Sequence, residues 1–436
     1  MRPSHTPYIQ SCLSGTPKKM PNGIPNPHKL LVQNLIFVLY ILLLSTKAFP
    51  QRREAVDRRS RFIVHYASKL KATLAMLTGP TGVIRDSAPF HHIPYQRKMF
   101  DLFAMTDGWC LEFLRFTKRQ ICELAWLLAL PEHFEGRCYP PATTCLCLVL
   151  YRLSWPYRYK DCMEPFGHER SWLSWVFNGT CQHIYRQHYE TLQWNPTLLT
   201  QARFRYYCQK TQQKGKPSGL ISGFVDGTHK QICRPRPETE DQEMFWSGHK
   251  HMHSIEFLAV VTPDGIISCI YGPYEGKRGD WGMWKEGMQD MVVENAKDRE
   301  GDRVYLYGDK ALYLEDGIIG AYRQENGIEL THGESVFNAY MAKQRMAVEW
   351  GFGKVMQLFQ FTNLKSNMKY GLSPISCYYL VSVLLTNCHT CYYGSKTGTT
   401  FFCDPPSIIS LFQLSEIDKQ EFDLYLVQVD HTLNSL

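Results

Sequence analysis

The chain has 436 residues, 44% of them hydrophobic and 13% aromatic, enough to bury more than one ordinary core. With 20% charged residues and a formal net charge of +7, the composition excludes a disordered chain, and suits a nucleic-acid partner without requiring one. The fifteen cysteines are an odd number scattered through apolar stretches such as Cys145, Cys147, Cys269 and Cys377. That pattern excludes a small disulfide-framed fold and reads as reduced, buried thiols of an intracellular protein.

Residues 1–50 stand apart from the rest. The first 29 are rich in Pro, Ser, Asn and Lys and read as disordered. Leu30 to Thr46 is apolar and uncharged, between Lys29 and Lys47. Crossing a bilayer takes roughly 20 residues. The 30–46 stretch therefore reads as a short membrane anchor, a buried helix, or an extension outside the functional protein. A basic run follows at Arg52, Arg53, Arg58, Arg59 and Arg61, which after an anchor would keep the remainder cytosolic.

From 51 to 218 the pattern is helical. Thr117 caps a short helix through Leu124, and Pro131, Pro140 and Pro141 then interrupt the chain. A mostly apolar helix follows from Thr143 to Leu153, a short polar one from Tyr159 to Phe166, and a longer one from Glu169 to Tyr189 with Arg170, His183, Arg186 and His188. That succession outlines a helix-turn-helix, and equally a helical bundle packed against the next domain. The polar stretch from Thr211 to Gly219 reads as the linker between them.

Beyond it, from 219 to 407, the period becomes that of strands. Ile221 to Val225 forms a strand ending at Asp226. Ile255 to Thr262 and Ile266 to Tyr271 form a hairpin about the turn Pro263-Asp264-Gly265. A helix spans Trp281 to Asn295, a strand runs from Val304 to Asp309, and a long helix from Asn338 to Phe359 carries Glu349. This order predicts an α/β core with a mixed sheet, and residues 408–436 form a C-terminal tail.

Acidic residues at the ends of adjacent strands point into the crevice where open α/β sheets hold ligands. Asp226 and Asp309 occupy such ends, and a helix across that edge brings Glu349 near them. Three converging carboxylates repel one another unless cations neutralise them. Mg²⁺ and Mn²⁺ favour such hard oxygen ligands, and two ions about 4 Å apart serve phosphodiester cleavage. Arg345 lies four residues before Glu349 on the same helix face, as a support for it, a phosphate contact or an ordinary ion pair. Read from composition alone, the same residues also serve as turn formers, helix caps and salt-bridge partners.

His249, His251 and His253 alternate and could share one strand face, as phosphate contacts or sheet-edge histidines. His229, Lys230, Lys310, Lys354, Lys365 and Lys369 are candidate DNA contacts, with solvated surface lysines as the plainer reading. Cys388 and Cys391 form a lone C-x-x-C without a second ligand pair, which argues against a structural zinc site.

Several ordered stretches together resemble the PIF/Harbinger transposases and the nucleases derived from them. They are Gly223-Phe224-Val225-Asp226-Gly227-Thr228-His229, Ser247-Gly248-His249-Lys250, Val261-Thr262-Pro263-Asp264-Gly265, Tyr307-Gly308-Asp309, and Arg345 through Gly353. The resemblance covers most of 219–407 and implies an RNase H-like catalytic core. It carries a DDE triad onto Asp226, Asp309 and Glu349, with Mg²⁺ or Mn²⁺ as the metal. Asp280 aligns with a family His-Asp pair, but Gly279 stands where the His would be, and Lys310 follows Asp309 where the family has a small residue or Pro.

The expectation is a DNA endonuclease or transposase acting in the nucleus, with DNA as partner, a homo-oligomer as an option, and a separate Myb-like DNA-binding protein implied by the resemblance. The alternative is a domesticated, non-catalytic derivative that binds DNA or protein. A membrane belongs to the picture only if residues 30–46 are an anchor.

Overall fold

The computed structural model describes residues 99–131, 140–215, 219–236, 240–324 and 329–435. The readings of residues 1–29, of the 30–46 segment and of the basic run at 52–61 lie outside these. Among the described residues no helix is long and apolar enough to cross a membrane.

The helical first part comprises α1 (Asp107–Leu114), α2 (Lys118–Leu127), α3 (Ala142–Ser154), α4 (Tyr159–Phe166), α5 (Arg170–Gln193) and α6 (Gln201–Gly215). Local chemistry sets several of these ends. Thr117 and Gln120 form a reciprocal capping box at the start of α2, satisfying two amides that have no partner inside the helix. Gly167, at φ 66, takes the left-handed conformation that ends α4. The stretch from Thr211, expected to be a linker, is helical through Gly215.

The apolar helix α3 is buried around its whole circumference, as its sequence demands. It packs on α1, α2 and α5, and α5 in turn packs on α11 (Ile375–Tyr393) and on the sheet. The residues that made α5 resemble a recognition helix are partly drawn into this packing. His188 is buried edge-on to Phe412, and the His183 ring bonds the Ala129 carbonyl at 2.8 Å.

The sheet is mixed. β1 (Ile221–Gln231) lies centrally, antiparallel to β3 (Met252–Val261) and parallel to β5 (Tyr305–Tyr307). Beyond β5 lies the parallel β6 (Ile318–Ile319). On the other side β3 pairs with both the short β2 (Trp246–Ser247) and β4 (Ile267–Glu275). The hairpin of β3 and β4 turns at 263–265, as the sequence predicts, with Gly265 at φ 84.

β1 does not end at Asp226. It continues five residues further, because its ladder with β3 runs on from Asp226↔Ala259 to Gln231↔Ser254. Its pairing with β5 stops at Phe224↔Tyr307. Past that point β1 has a neighbour on one side only, and a notch opens in the sheet.

Two helical layers flank the sheet. α7 (Glu240–Phe245) precedes β2. On one face lie α8 (Asp280–Met283), a π turn at Trp284–Met288 and α9 (Gln289–Asn295), with Trp284 fully buried. On the other lie α11 and α10 (His332–Leu358), whose N-terminus carries a capping box of Thr331 and Glu334. The buried residues of α10, from Met341 through Ala347, Val348 and Gly351 to Val355, recur at three- and four-residue steps. A Cβ at Gly351 would come within 2.9 Å of Val261, so the glycine lets the helix lie close against the sheet.

α11 is mostly apolar and buried nearly all round. Asn387 pins it to the sheet, accepting from the Ile267 amide and donating to the Ile267 carbonyl, both at 2.9 Å. Helices α12 (Lys396–Phe401), α13 (Ile408–Leu411) and α14 (Glu416–Asn434) complete the chain, with α14 packing back on α2. The described residues thus form one compact unit of mixed α/β class.

Candidate metal centre

Parallel pairing places Phe224 of β1 beside Tyr307 of β5. Two residues further on, each chain presents an aspartate on the same face, Asp226 and Asp309. Asp226 is held in the ladder to β3, whereas Asp309 sits in a turn and accepts the Ala311 amide at 2.7 Å. A third carboxylate arrives from Asp280, the first residue of α8. Its backbone is delivered by Gly279 at φ 73, and a Cβ at Gly227 would collide with its carboxylate. The glycine after Asp226 therefore makes room for Asp280.

Each of Asp226, Asp280 and Asp309 offers a carboxylate oxygen, and these oxygens lie within 4.8 Å of one another. They are the one such group of metal-ligating side chains among the described residues. All three are half-buried. Burial pushes the Asp280 carboxyl up to about 6, and the neighbouring charges of Asp226 and Asp309 add to it. Burial also raises Asp226; Arg345 opposes that rise and Asp309 adds to it. Three acids here face a single guanidinium, Arg345, which reaches Asp226 at 2.8 Å. An excess of negative charge in one half-buried place, built wholly of carboxylate oxygens, fits a hard divalent cation.

Glu349 is not in this group. Its side chain is 55% exposed and meets the centre only through Arg345, 3.5 Å away. Both residues do lie on one face of α10, but it is the arginine that faces Asp226. Asp280, which the resemblance aligns with a family His-Asp pair and the sequence gives no more than a supporting part, is the third member of the group. Its position depends on glycines at 227 and 279, one of them more than fifty residues away, a signal that no local pattern carries.

The candidate DNA contacts divide. Lys310 and Lys365 are exposed. His229 pairs with the buried Glu256 at 3.0 Å, directly opposite it in the β1–β3 ladder. Lys230 points to the other face, buried 4.4 Å over the Tyr379 ring, and desolvation lowers its ammonium to about 8. Lys354 is turned inward, bonded to Thr390 Oγ1 at 2.9 Å and to the Gly394 carbonyl at 2.6 Å, where it closes the C-terminus of α11. Neither of these two offers its charge to a passing strand.

The three histidines do not share a strand face either. His249 and His251 lie in the turn before β3, His251 at φ 51, and only His253 is in the strand, edge-on to Trp246. Cys388 and Cys391 are free thiols on α11.

Residues 225–387 match the DDE superfamily endonuclease family. The match begins one residue before Asp226 and ends at Asn387, so it spans the sheet from the second half of β1 onward, all three aspartates and α10. It points to a nuclease- or transposase-like function, and members of that superfamily typically use divalent metal ions. Searches among curated proteins and solved structures returned no match.

Proposed function

We propose that the chain is a metal-dependent DNA endonuclease or transposase of the PIF/Harbinger type, built on an RNase H-like core and acting in the nucleus. The observation that carries this reading is the convergence of Asp226, Asp280 and Asp309 within 4.8 Å, in a segment similar to DDE endonucleases. These three residues would hold two Mg²⁺ or Mn²⁺ ions. Bound there, the ions supply Lewis-acid activation of a hydroxyl nucleophile and of the leaving oxygen at a phosphodiester.

The protein's own residues supply the rest. Arg345 orients Asp226 and bridges it to Glu349, so Glu349 would join the centre from α10 if substrate drew the arginine toward phosphate. Glu256, itself buried, holds His229 beside Asp280. Exposed Lys310 and Lys365 add sequence-independent attraction for the DNA backbone. Recognition of a target sequence is assigned to a separate Myb-like partner, as the resemblance implies.

Two observations favour a second reading. Arg345 already neutralises Asp226 at 2.8 Å, and Lys310 adds a positive charge directly after Asp309. A domesticated derivative that binds DNA without cutting it fits those two residues. Nicking of supercoiled plasmid with Mg²⁺, Mn²⁺ or EDTA separates the two. Metal-dependent nicking that disappears in Asp226→Ala and Asp309→Ala supports the enzyme. Absence of nicking by folded wild type, with the partner supplied, supports the derivative.

A further inference from the structure

Two of the three carboxylates are followed closely by an aromatic residue. Trp281 comes directly after Asp280, and Tyr313 lies four residues past Asp309. These rings meet edge to face, with centroids 4.8 Å apart and planes at 72°. The Arg323 guanidinium lies 4.0 Å from the Tyr313 ring centre, and the Lys285 ammonium 5.1 Å from that of Trp281. Yet Tyr313 remains 51% exposed, and its neighbour Leu314 is 71% exposed.

Nothing in the core requires this arrangement. A tyrosine that only filled space would be turned in, as Tyr307 and Tyr379 are. Tyr313 is instead steadied by one ring and one guanidinium while its surface stays open, so a ligand meets a side chain with little freedom left to lose. The acids that follow Leu314 are matched, Glu315 with Lys285 and Asp316 with Arg303. Lys310 and Arg323 form no ion pair among the described residues, and both lie on the segment that follows Asp309.

Aromatic surface interleaved with basic side chains is what unpaired nucleobases recognise, since every base has a face to stack and a phosphate to neutralise. The geometry points to a stacking platform of Trp281, Tyr313 and Arg323 that takes an unpaired DNA base next to the phosphate that divalent ions on the three carboxylates would hold. This rests on the nuclease reading, which makes DNA the ligand. The platform makes strand opening at the cleavage point part of substrate recognition, because a base still paired in duplex cannot reach it.

The test compares the full chain with Tyr313→Ala and Tyr313→Phe for binding of labelled oligonucleotides in Ca²⁺, one set fully paired and one forked with unpaired bases. Stacking on one aromatic residue corresponds to about a 5- to 150-fold change in affinity. Tyr313→Ala is expected to weaken forked DNA by that factor and leave the paired duplex unchanged, while Tyr313→Phe, which keeps the ring, binds as wild type does. Equal weakening of both DNAs, no weakening of either, or a Phe variant as weak as Ala would overturn the platform. Thermal melting checks that the exposed substitution leaves the fold intact. Plasmid nicking, scored in parallel, keeps the two readings apart. A protein that nicks but shows no fork preference lacks the platform, whereas fork binding through Tyr313 without nicking keeps the platform and removes the nuclease.

Discussion

Two acidic places beside the sheet are built on opposite principles. At the β3–β4 turn, Asp264 is fully buried and surrounded by donors: Tyr207 Oη at 2.6 Å, Thr262 Oγ1 at 2.7 Å, and the Ile266 amide and Arg203 guanidinium at 3.2 Å. One charge there meets four partners. At the notch beside β5, three carboxylates share one arginine. The first site is complete without any ligand and fastens α6 to the hairpin. The second holds charge that its own side chains leave uncompensated, which is how a site built to receive a cation differs from one built to hold a fold.

Substitution should therefore give opposite results in the two places. The largest effect is expected from Asp309→Ala, which should lower metal-dependent nicking by about 10³-fold or more, given the several kcal/mol that bound metals contribute. Its melting temperature without metal should not fall. A large loss of stability instead would move Asp309 to the structural side of the comparison.

Next comes Asp264→Ala, expected to destabilise by about 3–5 kcal/mol in urea denaturation, because it leaves Arg203 and Tyr207 without their buried partner. The fraction that stays folded should nick as wild type does.

Asp280→Asn sharpens the contrast. A carboxyl at about 6 binds more protons in the folded chain than in the unfolded one between roughly pH 4 and 6. Metal-free stability due to this group is thus greatest below pH 4 and falls as pH rises through that window. Asparagine removes the charge, and should raise metal-free stability at pH 7 by up to about 2–3 kcal/mol. The same exchange should weaken the stabilisation by Mg²⁺ or Mn²⁺ seen in melting curves. A wild type whose melting is flat from pH 4 to 7 would count against the crowded-charge account.

Lys230→Met tests a buried charge of the other sign. Its ammonium, lowered to about 8, lies over Tyr379 with no hydrogen-bond partner among the described residues. Unfolding takes up a proton between roughly pH 8 and 10.5, so wild-type stability should rise with pH across that range. Methionine should stabilise by about 1–2 kcal/mol at pH 7 and abolish the rise. The smallest stability change belongs to exposed Glu349. Glu349→Gln should shift unfolding by less than about 0.5 kcal/mol, and lower nicking less than Asp309→Ala does.

These two sites also differ in how far the sequence exposes them. Asp226 and Asp309 are legible because each follows an apolar strand, and parallel neighbours bring equivalent positions together. The turn at Asp264 is equally plain, from Pro263 and Gly265, but its partners Arg203 and Tyr207 lie some sixty residues upstream and declare nothing locally. The α10 period correctly puts Arg345 and Glu349 on one face. Which of the two reaches Asp226 depends on how the helix is rotated against the sheet, and packing at Gly351 and Val261 sets that. Lysines read as surface charges by default, so the inward course of Lys230 and Lys354 becomes visible only once α11 is in place. Stretches of strong periodicity, such as α3 and the β3–β4 hairpin, match their expected limits to within a few residues, while β1 outruns its apolar part because β3 continues beside it.

One feature of β1 has a mechanical consequence. Past Phe224 it is bonded to β3 alone, while the chain carrying Asp309 has already left the sheet for a turn. The two aspartates form a calliper with one fixed jaw and one sprung jaw. A cation between them would meet one carboxylate fixed by a ladder and one carried by the 309–312 turn, so a change of ion radius would be taken up at the turn. Tolerance for ions of different size would then rest on a few loop residues, with Lys310 among them.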